Sequence, residues 1–160
     1  MHSTAAPTPV PTSPPTAAPT PGPPTNGLAD RLLELINNER ANVGVPAVIR
    51  NSALTVAAQD YAKLHFLSTD PFQLNHYLDG GPGDRAKRNG YTGLVAEDLV
   101  TGSPQAEVLI EAWLSSPGHR DIILGSEYRD IGVGCYEGSY VDASGSTLQL
   151  ALCVANLGQP

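Results

Sequence analysis

The chain has 160 residues, a formal net charge of −7 and two cysteines. That length suits one domain with a core of its own. An acidic chain without a basic run lacks the positive surface that nucleic acids attract, and no apolar run approaches the roughly 20 residues that span a bilayer. We therefore expect a chain that neither binds nucleic acid nor crosses a membrane. We also expect a monomer.

Residues 1–26 differ in composition from the rest of the chain. Between Ala5 and Thr25 they are almost entirely Pro, Thr, Ala, Ser and Gly, which cannot build a core. We predict a disordered Pro/Thr-rich linker over 1–26 and a folded domain over 27–160. Such linkers often join a secretion signal or lipid anchor to an exported domain, although a tail without function is compatible with the same composition. We expect an extracellular or cell-envelope location, with the export signal absent from this sequence.

Two amphipathic helices are predicted at the start of the domain. The first ends near Gly44, with Arg40 on its polar face, and the second begins at Asn51 or Ser52. The helical spacing of apolar residues predicts the buried side of the second helix: Leu54, Ala57, Ala58, Tyr61, Leu64 and Leu67. We expect His65, on this helix, to be a partly exposed surface residue.

Residues 69–95 are rich in Gly and Pro and predict a long loop with one helical turn at 84–89. Loops of this length in a compact domain are often functional, and this one contains His76. An apolar run over 94–100 follows and contains Glu97. A buried carboxylate needs partners, and imidazole rings can provide them.

Two short helices are predicted around Trp113. Ser103-Pro104 and Ser116-Pro117 have the Ser-Pro order typical of a helix start. His119 then lies in the first turn of the second helix, where the helix dipole favours a neutral ring. A neutral imidazole can bind a metal or act as a base, but it can equally cap or pack a helix corner.

The last third of the chain predicts two antiparallel strands, 131–136 and 147–157, around a turn at 142–145. This register places Cys135 opposite Cys153, close enough for a disulfide, which we expect in an exported protein; two buried free thiols are the alternative. Both faces of the strand pair are apolar, so helices should cover both. The predicted fold class is α+β, an α-β-α sandwich around a small, mainly antiparallel sheet, with Gly132 and Gly134 allowing a close approach.

The segment W-L-S-S-P-G-H-R-D-I-I-L at 113–124 resembles the W-x-x-S-P-G-H-R-x-N-I-L segment of bacterial CAP domains. Other family features lie before this segment and occur in the order typical of the family: His76, Gly80, Arg85, Gly90-Tyr91, Glu97 and Gly102. Residues 28–157 thus resemble the SCP-like extracellular domains related to cysteine-rich secretory proteins, insect venom allergens and plant pathogenesis-related proteins. Asp98 and Asp121 stand where the family usually has Asn.

The resemblance implies the same sandwich fold and a cleft lined by two His and two acidic residues. Matching by position gives His76, Glu97 and His119, and Glu111 is our candidate for the fourth position. Two His and one carboxylate are a common ligand set for zinc, so Zn or another divalent cation is the expected cofactor if there is one.

Three functions remain open for this cleft. We favour a secreted binding module for a metal, a peptide or a small lipid, because no hydrolase motif such as G-x-S-x-G or H-E-x-x-H accompanies the His residues. A hydrolase would use His76 or His119 as base, with Glu97 orienting it. A structural envelope scaffold would use the cluster only to hold loops together.

Overall fold

The computed structural model describes residues 27–160, so the predicted linker lies outside the described residues. The helices are α1 (Leu28–Asn42), α2 (Ser52–Ser68), α3 (Pro82–Arg88), α4 (Ala106–Ser115) and α5 (Pro117–Ile123). The strands are β1 (Ile49–Arg50), β2 (Leu94–Gly102), β3 (Asp130–Val141) and β4 (Thr147–Gln159). No helix within residues 27–160 has the length and apolar character needed to cross a membrane.

The four strands form one sheet in the order β1-β3-β4-β2. β4 lies antiparallel to both β3 and β2, and only the two-residue β1 is parallel to its neighbour. Cys135 pairs with Cys153 in the register that the sequence predicted. Along β2, Glu97 pairs with Asn156 and Asp98 with Ala155, so these two carboxylates point to opposite faces of the sheet.

Helices cover both faces, which confirms the predicted sandwich. The first face packs against α1, α4 and α5 through a core that includes Leu32, Trp113, Ile131 and Leu157. The second face packs against α2 through residues such as Tyr61, Leu99, Leu152 and Val154.

The close approach predicted at Gly132 and Gly134 brings α2 onto the second face. A Cβ at Gly132 would lie 2.0 Å from the carbonyl carbon of Leu54, and one at Gly134 would lie 2.2 Å from the backbone nitrogen of Gln59. Side chains at these two positions would therefore push the helix off the sheet.

The helix start at Pro117 is confirmed, with Ser116 as its N-cap, and His119 lies in the first turn of α5. The start predicted at Pro104 is wrong, because α4 begins at Ala106 after a turn in which the Gln105 N–H donates to the Ser103 carbonyl. The predicted burial of Leu67 is also wrong, since this side chain is exposed at the end of α2.

Arg40 is buried, contrary to its predicted place on a polar helix face. Its guanidinium donates to the carbonyls of Pro46, Ile123 and Gly125 at 2.7–3.0 Å. These bonds tie α1 to the end of α5, and so they help to fix the helix that carries His119. Burial lowers the pKa of Arg40, but the carbonyl oxygens replace the water that the guanidinium has lost.

The predicted bridge between Cys135 and Cys153 is formed, with 4.1 Å between the two Cα atoms. Reduction is expected to lower the free energy of unfolding by roughly 3 kcal/mol, because the bridge closes a loop in the unfolded chain. The domain should nevertheless stay folded, since a chain of this length has enough apolar positions to form a core without the bridge. Urea unfolding with and without reductant measures the difference; unfolding on reduction alone would contradict the prediction.

Candidate functional site

The predicted pair of His76 and Glu97 is formed where the loop after α2 meets β2. Glu97 points to the second face of the sheet, and only 1% of its side chain is exposed. Its Oε1 lies 2.9 Å from Nδ1 of His76, whose own side chain is 38% exposed. A buried carboxylate therefore holds an accessible imidazole, and the second ring nitrogen of His76 is left for another partner.

Arg85 of α3 completes this cluster. Its Nη2 donates to Oε2 of Glu97 at 2.5 Å, and its Nη1 donates to the backbone carbonyl of His76 at 3.0 Å. The guanidinium carbon lies 3.4 Å from the ring centroid of Tyr61, in cation–π geometry. Arg85 therefore neutralises the buried Glu97 and also fixes the loop that carries His76.

The expectation that two imidazoles would satisfy Glu97 is thus half right. One partner is His76, and the other is Arg85, which was part of the family-like motif but had no role in our prediction. Arg85 lies between His76 and Glu97 in that motif. A cation at this position is the signal that could have predicted a partner for the buried carboxylate. No hydrogen bond joins His119 to Glu97 among the residues that the structure describes.

His119 is partly buried on α5. Burial lowers the pKa of its ring, and the electrostatic influence of His76 lowers it further, which favours the neutral ring. The neutral state agrees with the prediction, which attributed it to the helix dipole. The side-chain hydrogen bond of His76 goes to Glu97 and not to His119, so a cleft shared by the two rings stays a prediction.

A cleft of about 270 Å³ opens beside the His76–Glu97 pair. Its walls are His76 and Tyr77 from the loop, Pro82 from α3, residues 95–97 from β2 and Ile122 from α5. None of these lining residues is a Ser, Thr or Cys that could serve as a nucleophile. The cleft therefore offers an imidazole on a wall of mixed polar and apolar side chains.

His65 is fully buried, so the prediction of a partly exposed residue is wrong. Its Nε2 accepts the backbone N–H of Asn75 at 3.0 Å, and its Nδ1 lies 3.1 Å from the Thr69 hydroxyl. The Tyr61 hydroxyl donates to the carbonyl of the same Asn75. Because burial lowers the pKa of His65, the ring stays a neutral acceptor and holds the loop immediately before His76.

The structure does not join Glu111 to the cluster. This side chain is exposed on α4 and makes no hydrogen bond or ion pair with His76, Glu97 or His119 within the described chain. Its assignment as the fourth cleft residue stays a prediction.

The geometry does not fit a preformed zinc site. Within residues 27–160, no group of three or more His, Cys, Asp or Glu side chains lies close enough together to hold a metal ion. Both carboxylate oxygens of Glu97 are already bonded, one to His76 and one to Arg85. A divalent ion would have to compete with the guanidinium for this carboxylate.

The sequence and the fold can now be compared with known proteins. The family model described as CAP, cysteine-rich secretory protein family, matches residues 33–154. The Bacillus subtilis protein YkwD is 28% identical over 114 residues, which are 67% of this chain and 42% of YkwD.

Solved structures show the same fold. An extracellular protein of Bacillus anthracis with an SCP domain has a TM-score of 0.69 and 21% identity over 88% of this chain and 45% of its own. An outer surface protein of Borrelia burgdorferi has a TM-score of 0.59 and 20% identity over 82% and 92% of the two chains.

The chain spans less than half the length of YkwD and of the Bacillus anthracis protein. The family model, by contrast, covers most of this chain, and the observed sandwich agrees with the fold of these structures. The chain therefore belongs to the CAP, or cysteine-rich secretory protein, family.

Proposed function

We propose that this chain is an exported binding module whose cleft beside His76 takes up a small ligand. The observation that carries the proposal is an accessible imidazole, fixed at Nδ1 by the buried Glu97, in the wall of the cleft. With Nδ1 engaged, Nε2 is the atom available to a ligand. Fixed polar groups among apolar side chains are typical of small-ligand sites.

Two observations support export. The chain contains a disulfide, and such bonds persist in oxidising compartments outside the cytosol. Of the proteins with the same fold, one is described as extracellular and another as an outer surface protein.

Screening peptides and small lipids by NMR with labelled protein would identify a ligand. We expect His76→Ala to weaken its binding by about tenfold or more, because one hydrogen bond to the imidazole is lost. Glu107→Ala is the control, since this residue is exposed and lies outside the lining of the cleft. Equal affinity of the wild type and His76→Ala for every ligand found would reject the cleft as the binding site.

Zinc stays a predicted ligand. Titration calorimetry at about pH 7.5 and about pH 5.5 tests it, because protonated imidazoles cannot bind the ion and affinity should fall at the lower pH. Loss of zinc binding in both His76→Ala and His119→Ala would support the predicted ligand set. Absence of binding at either pH, or binding that survives both substitutions, would exclude that set.

One observation favours a hydrolase as the second candidate. A carboxylate bonded to Nδ1 of an imidazole is the arrangement that orients a general base, and Nε2 of His76 could take a proton from water. Incubation with a broad peptide library measures this directly. Cleavage that disappears in His76→Ala would establish the hydrolase, whereas neither cleavage nor binding in any assay would leave the scaffold role.

A further inference from the structure

The two edges of the sheet differ in length and protection. At one edge, β1 has only two residues and includes the charged Arg50. At the other edge, β2 has nine residues and pairs only with β4. Beyond the reach of β1, residues 132–141 of β3 also lack a neighbouring strand on that side. Both edges therefore present unpaired backbone that another chain could pair with, and β2 is the edge whose residues line the cleft.

The disulfide shows which backbone groups of β2 face outwards. Opposed residues with Cα atoms only 4.1 Å apart, as at Cys135 and Cys153, form a pair that does not exchange hydrogen bonds. The backbone groups of Cys153 therefore point away from β3 and towards Val100 of β2. Gly158 lies an odd number of residues from Cys153 on β4, so its backbone groups should point the other way, towards β3. Its carbonyl does accept the N–H of Arg129 at 2.9 Å.

The same alternation runs along β2. Val100, Asp98 and Ala96 therefore direct their backbone groups towards β4. The N–H and C=O groups of the alternate residues, Val95, Glu97 and Leu99, point away from β4. Within residues 27–160, no hydrogen bond reaches the outward backbone groups of Val95 and Glu97.

The opposite side of the sheet shows how the fold closes an open strand. At Cys135, the side-chain amide of Gln59 donates to the carbonyl at 2.8 Å and accepts the N–H at 3.2 Å. One side chain thus takes the place of a neighbouring strand. No side chain does the same for Val95 and Glu97 within the described residues, although both line the cleft.

The exposed end of β2 also lacks the usual protection of an edge. Residues 94–96 include neither a charge nor a proline, and Leu94 is 72% exposed. On the second face of the sheet, residues of the loop and of α3 border the cleft, and on the first face Ile122 of α5 borders it. The cleft therefore follows the outer edge of β2 between the two helical layers.

We infer that the ligand of this cleft is an extended peptide segment that adds to β2 at Val95 and Glu97. This inference rests on the proposed binding function. Outward N–H and C=O groups, repeated every second residue, complement another peptide backbone and not a metal ion or an acyl chain. The residue opposite Glu97 directs its side chain to the second face, beside His76, and the next residue directs its side chain towards Ile122.

Val95→Pro tests the pairing, because proline removes the outward N–H and leaves the bonds of Ala96 to β4 in place. The probe is a library of short peptides with blocked termini, selected against the whole wild-type chain. Val95→Pro should weaken binding of a selected peptide by about tenfold or more, while Val95→Ala, which keeps the N–H, should change it by less than about threefold. Methylation of the peptide nitrogen that pairs with β2 should have the same effect as Val95→Pro.

His76→Ala separates this inference from the proposed function. If binding is lost in His76→Ala and kept in Val95→Pro, the cleft binds a ligand but the pairing with β2 is wrong. If both variants bind normally, the cleft and the pairing are both rejected. The wild type could instead form a dimer that Val95→Pro abolishes. A second copy of this chain would then occupy the edge of β2, and the inference of a peptide ligand would be rejected.

Hydrogen exchange in the wild type provides a readout even if Val95→Pro does not fold. Saturating peptide should slow exchange of the Val95 and Glu97 amides by about tenfold or more, because each gains an acceptor. The amide of Ala96 is the internal reference, since it already bonds to β4. Unchanged exchange at Val95 and Glu97 in the bound state would overturn the pairing.

Discussion

Glu97→Ala is expected to lower the free energy of unfolding by about 3–5 kcal/mol, because it leaves the buried guanidinium of Arg85 without its main counter-charge. Only 3% of the Arg85 side chain is exposed, so water cannot replace the carboxylate. Asp79 stays within 3.2 Å of the guanidinium, but this carboxylate is about one third exposed and offers partial compensation. Urea unfolding near pH 6 measures the loss.

Two further variants test the cause of that loss. Glu107→Ala removes a carboxylate from an exposed pair with Arg31 and should leave the unfolding curve unchanged. Adding Arg85→Met to Glu97→Ala should restore part of the lost stability, because the unpaired charge is then removed as well. A double variant less stable than Glu97→Ala alone would show that Arg85 stabilises the fold mainly through its bonds to loop carbonyls.

The regular parts of the fold were predictable because they follow from local patterns. The alternation of apolar residues and the turn at 142–145 together fixed the pairing of Cys135 with Cys153. The Ser116-Pro117 start placed His119 correctly in its first turn. The two residues of β1 could not be predicted, since so short a strand has no periodicity and its partner lies 81 positions along the chain.

The interior of the site was harder to predict, because burial of a polar side chain depends on partners from distant elements. Arg85 is buried because β2 brings Glu97 against it and the loop brings the carbonyl of His76. His65 is a different case, since it follows Ala58 and Tyr61 at helical spacing and so continues the buried side of α2. That spacing would have placed it in the core had its polar ring not been assigned to the surface.

Asp98 shows the cost of a buried carboxylate without partners. It is fully buried on the first face of the sheet, and both its oxygens lack a hydrogen bond among the described residues. Burial, and secondly the charge of Glu97, raises its pKa from 3.8 to about 8. The folded protein therefore holds a proton that the unfolded chain releases above about pH 4, so stability falls as pH rises from about 4 to 8, by up to about 1.4 kcal/mol per pH unit.

Asp98→Asn is expected to stabilise the domain by an amount that grows with pH, because an amide of the same shape carries no charge that burial can penalise. The gain should be small near pH 4 and about 2–4 kcal/mol near pH 8, after allowing for the unpaired amide. Melting temperatures across this range measure it. Asp121→Asn, an equal charge change at an exposed position, should lack the pH-dependent gain. Parallel pH profiles for the wild type and Asp98→Asn would show that Asp98 is ionised and solvated in the folded protein, and they would contradict its burial as a neutral acid.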